Sequence, residues 1–256
     1  MVTPKRTKER IDQRLVREGL VESRAKAQAL ILAGHVLVDD LVVDKPGKLV
    51  AQDARVEIKG RLHPYVSRGG MKLEAALRTF GLDVRGLTCL DVGAGTGGFT
   101  DCLLQHGAAA VYAVDVGRYQ LDWRLRRDPR VVVREGLNAR YLKPEDFPVR
   151  FDLITIDVSF ISLKKILPAV VPLLAPTGAI IALIKPQFEA GRHEISPGGI
   201  VRSPATHDRV VGEIRAFAED DLHLICLGTM ESPILGGDGN KEFFIYLRPH
   251  PQGDRE

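Results

Sequence analysis

The segment Asp91-Val92-Gly93-Ala94-Gly95-Thr96-Gly97-Gly98-Phe99 constrains this chain more than any other. Its glycines stand between an apolar run, Leu87–Val92, and a helical pattern that begins near Gly98. Glycines at a strand-to-helix turn let the backbone approach a nucleotide-like ligand, because no β-carbon intervenes. The alternation continues downstream, with apolar runs at Ala110–Asp115, Val131–Val133, Leu153–Asp157, Ala179–Ile184, Leu222–Leu227 and Phe243–Leu247 and helical patterns around Leu163–Leu174 and Thr206–Ala218. Near-continuous apolar runs are what strands covered on both faces require. The pattern predicts α/β architecture: a doubly wound, seven-stranded, Rossmann-like sheet.

The ligand of that turn has two readings. Gly93, Gly95 and Gly98 spell Gly-x-Gly-x-x-Gly, which suits a dinucleotide and hence an NAD-dependent oxidoreductase. Asp91 ahead of the glycines, and the lack of a second nucleotide-binding half, favour S-adenosylmethionine. Asp91, Gly93, Gly95, Thr96, Gly97, Gly98, Phe99 and Asp157 are the expected cofactor contacts, and Asp115, ending the second run, is placed for ribose hydroxyls.

Ahead of this domain the sequence changes character. Residues 1–78 carry 16 Lys and Arg against 10 Asp and Glu, whereas the rest carries 20 against 23. A basic front end suits a partner with phosphates, although a solvated basic surface has the same composition. Ile11, Leu15 and Val16 recur at helical spacing until Gly19; Ser23 caps a second helix with Ala27, Leu30 and Ile31 on one face, ending at Gly34. Short strands follow at 35–38, 41–43 and 56–58, around the Asp39-Asp40 and Lys45-Pro46-Gly47 turns.

These residues, from Arg10-Ile11-Asp12 through Lys45-Pro46-Gly47, resemble the S4 RNA-binding domain. The resemblance implies that paired helices and a small sheet hold structured RNA, with Arg10, Arg14, Arg24 and Lys26 on phosphates. Where such domains commonly turn on an Asn-Gly-like pair, this chain has Asp39-Asp40. Residues 1–60 are thus expected to form the RNA-binding domain, 61–84 a linker and the start of the catalytic domain, and 85–256 the catalytic domain.

Four further segments place ionisable residues at element ends: Arg68-Gly69-Gly70-Met71-Lys72, Asp157-Val158-Ser159-Phe160, Lys185-Pro186-Gln187-Phe188-Glu189, and Asn240-Lys241-Glu242. Asp157 and Lys185 close apolar runs at the sheet edge where open α/β folds hold ligands. Periodicity does not show whether Lys72 and Glu242 join them. Together with the glycine turn, these segments resemble the TlyA group of ribosomal RNA 2′-O-methyltransferases within the FtsJ-like class, some of whose members carry haemolysin names. That resemblance implies S-adenosylmethionine as cofactor, ribosomal RNA or ribosomal subunits as partner, a cytidine ribose as target, and Lys72, Asp157, Lys185 and Glu242 as a catalytic tetrad. It also implies Asn138 on the adenine side of the cofactor and Arg68 on RNA. Lys185 is either the base that takes the 2′-hydroxyl proton or a cation that steadies the developing alkoxide.

Cys89, Cys102 and Cys226 show no paired spacing, and the seven histidines are scattered, so neither a disulfide framework nor a metal is expected. No run approaches the roughly 18 apolar residues of a membrane span, and the start is charged, which points to a reducing cytoplasm and away from a membrane-lytic toxin. No obligate protein partner is inferred. A non-catalytic RNA-binding assembly factor is the main alternative, and Trp123 is expected to serve packing rather than base stacking.

Overall fold

The computed structural model describes residues 8–21, 23–58, 64–236 and 239–250. The chain divides into two compact units, Met1–Pro64 and Tyr65–Glu256. The expected junction at residues 60 and 61 lies outside the described residues.

In the first unit, strand β1 (Lys8–Arg10) leads into helices α1 (Ile11–Arg17) and α2 (Arg24–Leu32), followed by β2 (Val36–Val38), β3 (Leu41–Val43), β4 (Leu49–Ala51) and β5 (Val56–Ile58). The Ser23 hydroxyl accepts from the Lys26 amide at 3.3 Å and so starts α2 as its sequence position requires. Ile11, Leu15, Ala27 and Ile31 close a core against Val36 and Val43. β3, β2 and β5 form one antiparallel sheet, and β1 pairs with β4, a pairing too short to show in the sequence pattern. Asp39 and Asp40 take φ of +49° and +65°, so this acidic pair makes a left-handed hairpin turn of the kind an Asn-Gly pair makes.

Asp12 anchors this unit. It is fully buried, and its carboxylate accepts from both Arg10 Nε and Nη2 at 2.9 Å, from Arg24 Nε at 2.9 Å and from Gln28 at 3.2 Å. The Arg10 guanidinium above all holds its carboxyl well below the ordinary 3.8, against the opposing effect of burial.

The second unit opens with α3 (Gly69–Thr79) and continues through β6 (Thr88–Val92), α4 (Gly98–Gln105), β7 (Ala110–Asp115), α5 (Trp123–Arg126), β8 (Val131–Glu135), β9 (Phe151–Ile156), α6 (Leu167–Val170), β10 (Leu174–Ile184), α7 (Pro186–Glu189), α8 (Pro204–Ala216), β11 (Leu224–Glu231) and β12 (Phe243–Pro249). The strands form one seven-stranded sheet in the order β11-β12-β10-β9-β6-β7-β8, parallel except that β12 runs antiparallel between β10 and β11. Buried clusters cover both faces. The single helix expected at 163–174 is instead a short α-helix flanked by 3-10 turns, because Pro168 and Pro172 each remove a backbone donor. The sixth apolar run begins as a strand only at Leu224, since residues 217–221 continue α8 as a π turn.

The order of strands fixes where a ligand can sit. β6 lies between β7 and β9, so the chain reverses direction across the sheet there and a crevice opens beyond the carboxyl ends of β6 and β9.

Asp12→Asn removes the charge on which two arginines and a glutamine converge. We expect it to lower the stability of this unit by about 2 kcal/mol at neutral pH, read as the shift in denaturation midpoint. A carboxyl held below its unfolded value stabilises above that value and loses its contribution in acid, so wild type and variant should converge as pH falls below about 4.

Candidate functional site

The glycine turn is built by packing as much as by ligand access. Gly93 (φ +84°) lies against the next crossover: a β-carbon there would stand 2.4 Å from the Asp157 carbonyl oxygen. A β-carbon on Gly95 would meet only the Gly93 carbonyl oxygen, at 3.9 Å, and the Gly95 amide donates to Asp115 Oδ2 at 2.8 Å, while Asp115 Oδ1 accepts from the Gly117 amide at 2.7 Å. Gly97 (φ +96°) has a different reason, since Leu125 and Leu121 methyls would lie 2.3 and 2.7 Å from its β-carbon. Gly98 abuts the Gly70 amide at the start of α3.

Two cavities open on this turn. The larger, about 520 Å³, is lined by Gly93, Gly95, Asp115, Asn138, Asp157 and Lys185 and walled by Val114, Leu137, Val158 and Ile166. The smaller, about 260 Å³, is lined by Arg68, Lys72, Thr96, Gly98, Phe99 and Asp157. Gly93, Gly95 and Asp157 belong to both, so the two form one groove along the carboxyl edge of the sheet. An apolar slot of this volume with a few convergent polar groups is the usual form of a nucleoside site. Asn138 also accepts from the Arg140 amide at 3.1 Å, so it shapes its own turn while it lines the slot.

Two of the expected cofactor contacts act elsewhere. Asp91 is fully buried and lines neither cavity; its carboxylate accepts from Thr100 Oγ1 at 2.6 Å and Thr155 Oγ1 at 3.2 Å, clamping α4 and β9 to β6. Burial pushes this carboxyl up to about 7, opposed by the Thr100 hydrogen bond. Gly97 likewise lines neither cavity, because leucine side chains fill the space beside it. Phe99 lines the smaller cavity and is also stacked on Phe244 with centroids 6.2 Å apart.

The four expected catalytic residues form two ion pairs. Lys72, in the first turn of α3, donates to Glu242 at 2.6 Å, both groups being buried. Gly70 lets α3 start there, since a β-carbon would run into the Tyr65 ring. Lys185, just after β10, lies 2.6 Å from Asp157 Oδ1 and donates to Ser159 Oγ at 2.9 Å. Asp157 bridges the two cavities, so Lys72 and Lys185 reach the same groove.

Sequence reasoning missed the struts behind these pairs. Ser159 gives Lys185 a second partner, and Glu189 of α7 accepts from the Leu163 amide at 2.7 Å and Ser162 Oγ at 2.5 Å, tying the Lys185 loop to the Asp157 loop. Their signal was their place inside the two motifs. The Gly- and Pro-rich stretch 187–207 is pinned: Asn240 accepts from the Val201 amide and donates to the Gly199 carbonyl, both at 2.9 Å, and His207 bonds the Val201 carbonyl.

Of the expected phosphate contacts, Arg14 is withdrawn. It is 5% exposed, and its guanidinium donates to Glu18 and to the Ala51 and Ala54 carbonyls, bracing the end of the first unit's α1 against β4. Arg10 and Arg24 bend toward Asp12 but keep side-chain exposures of 40% and 52%. Lys26 and Arg68 are exposed. Trp123, expected in packing, is 56% exposed. Among the described residues no cluster of His, Cys, Asp or Glu could hold a metal, and no helix is long and apolar enough to cross a membrane.

A glycine turn at the switch point of a sheet with one antiparallel strand, an acidic residue ending β7 and two lysine–carboxylate pairs along the groove define an S-adenosylmethionine-dependent methyltransferase. Residues 65–249 match the FtsJ-like methyltransferase family and residues 9–56 match the S4 domain. Bacillus subtilis YqxC is 49% identical over 94% of this chain and 85% of its own length. The Mycobacterium tuberculosis 16S/23S rRNA (cytidine-2′-O)-methyltransferase TlyA is 46% identical, with 93% and 89% covered. A solved Streptococcus thermophilus structure bearing a hemolysin name is 45% identical with a TM-score of 0.76, covering 98% of this chain and 92% of that one. The chain belongs to the FtsJ-like methyltransferase family, with an S4 domain ahead of the catalytic one. The open face of Gly95 and the fixed Asp115 carboxylate fit its cofactor, S-adenosylmethionine.

Because the Asp91 carboxyl sits above its unfolded value, the native state holds an extra proton between about 4 and about 7 and loses stability as pH rises through that window. Melting temperatures measured from pH 4 to 8 should show this decline in the wild type and a flatter profile in Asp91→Asn.

Proposed function

We propose that this protein transfers a methyl group to a cytidine ribose 2′-oxygen of ribosomal RNA, with the front unit gripping folded RNA and the groove receiving one extruded nucleotide. The observation that carries this reading is the convergence of the Lys72–Glu242 and Lys185–Asp157 pairs on the groove that begins at the glycine turn. The overall likeness to the M. tuberculosis enzyme supports the substrate. S-adenosylmethionine, when bound, supplies a methyl group on a positively charged sulfur. Asp115 would hold ribose hydroxyls, Leu137 and Asn138 the adenine side, and Gly93 and Gly95 the close backbone approach.

A ribose 2′-hydroxyl is a weak nucleophile, so its orientation and its developing negative charge are what the protein must manage. Lys185 keeps two partners, Asp157 and Ser159, which hold its amine at the groove and leave one N–H for the 2′-oxygen. The proton then leaves to solvent while the lysine steadies the oxygen. Lys72, fixed by Glu242, adds positive charge from the α3 side. Arg10, Arg24, Lys26 and Arg68 meet phosphates; such contacts position RNA and carry little sequence information.

Transfer of labelled methyl to ribosomal RNA tests this. Lys185→Ala should lower the rate about 10²- to 10³-fold, as loss of one preorganised donor to a developing oxyanion does. Glu242→Gln should also slow transfer, by releasing Lys72. S-adenosylmethionine affinity should hold in the Glu242 variant. Wild-type rates in Lys185→Ala would remove the residue from the reaction, and RNA binding without any transfer would point to an assembly factor.

A further inference from the structure

We propose that the corner formed by residues 117–127 is a stacking platform for an unpaired RNA nucleotide beside the target, a contact separate from the S4 unit. This rests on the reading that the substrate is RNA. Two large rings stand in solvent there, Tyr119 at 88% exposure and Trp123 at 56%. Each carries a guanidinium on its ring: Arg126 lies 5.8 Å from the Tyr119 centroid and Arg127 5.1 Å from that of Trp123.

The corner is rigid. Tyr119 takes φ +60°, a region a bulky side chain rarely enters, and its amide and that of Gln120 donate to the Glu135 carboxylate at 2.9 and 3.2 Å. Arg126 pairs with the same carboxylate, which is held down to about 2, first of all by that hydrogen bond. Underneath, Leu121 and Leu125 fill the space left by Gly97, and the Asp122 amide donates to the Thr96 carbonyl at 3.2 Å. The rings are therefore bolted to the cofactor turn, and Gln120 between them lines the larger cavity.

Charge selects the partner. Arg118, Arg124, Arg126, Arg127 and Arg130 stand against Asp122, Asp128 and Glu135, which pair with Arg124, Arg130 and Arg126, so the corner keeps a positive excess. Exposed rings beside guanidinium groups meet both needs of an unpaired nucleotide, a flat apolar surface for the base and positive charge for the phosphate. A buried packing role would hide the rings, and a purely electrostatic surface would not need them.

Trp123 is the single tryptophan of the chain, so emission excited selectively at tryptophan reports this site alone. Titration of the full chain with a short unstructured RNA should quench that emission saturably, whereas inorganic polyphosphate should not. Tyr119→Ala and Trp123→Ala should each lower kcat/KM for ribosomal RNA about tenfold, the size of one lost base–aromatic stack, with S-adenosylmethionine affinity and melting temperature held. Trp123→Phe, which keeps a ring, should recover most of the loss. RNA bound by anisotropy with unchanged tryptophan emission, or Trp123→Ala methylating at the wild-type rate, would overturn the proposal. RNA-dependent quenching in a chain that methylates no RNA would support the platform and count against the activity.

Discussion

At the switch point of the sheet, the Gly93 backbone lies so close to the Asp157 carbonyl that no side chain fits between them, and the Asp157 amide donates to the Val92 carbonyl at 2.9 Å. This contact joins the end of β6 to the end of β9. It places the glycine turn and the Asp157 carboxylate within one groove, and the parallel pairing of β9 with β10 then brings Lys185 to Asp157. Asp91 reinforces the junction from below by holding Thr100 of α4 and Thr155 of β9. A carboxyl with no water around it is costly unless hydrogen-bonded, and the two threonines meet that requirement.

The lysine–carboxylate pairs follow the same logic. A lysine withdrawn from water needs a carboxylate partner, and Glu242 and Asp157 hold Lys72 and Lys185 in place. Such pairs add little net stability; their use is orientation. Glu189 extends that orientation by fastening the two loops to each other, and the tilted Phe160 and Phe188 rings, 5.1 Å apart, pack across them.

The doubly wound sheet was legible because parallel strands buried on both faces leave unbroken apolar runs, and the turn was legible because its glycines are in sequence. The four side chains proposed for catalysis come from distant points of the chain, so only the resemblance grouped them. Residues that bear ordinary polar side chains for structural reasons were misread: Arg14 and Asp91 look like ligand contacts in sequence but spend their hydrogen bonds inside the protein. Gly97 was misread for the converse reason, since a motif glycine can serve a leucine contact as well as a ligand. The prolines at 168 and 172 were visible but outweighed by the apolar periodicity around them.

The most direct test of the account is the chemical identity of the product. Ribosomal RNA incubated with the protein and S-adenosylmethionine, then digested to nucleosides and resolved by mass spectrometry, should yield newly formed 2′-O-methylcytidine. Methyl groups found on a base, or on a ribose other than that of cytidine, would contradict the placement of the ribose 2′-oxygen against Lys185 or the cytidine choice respectively.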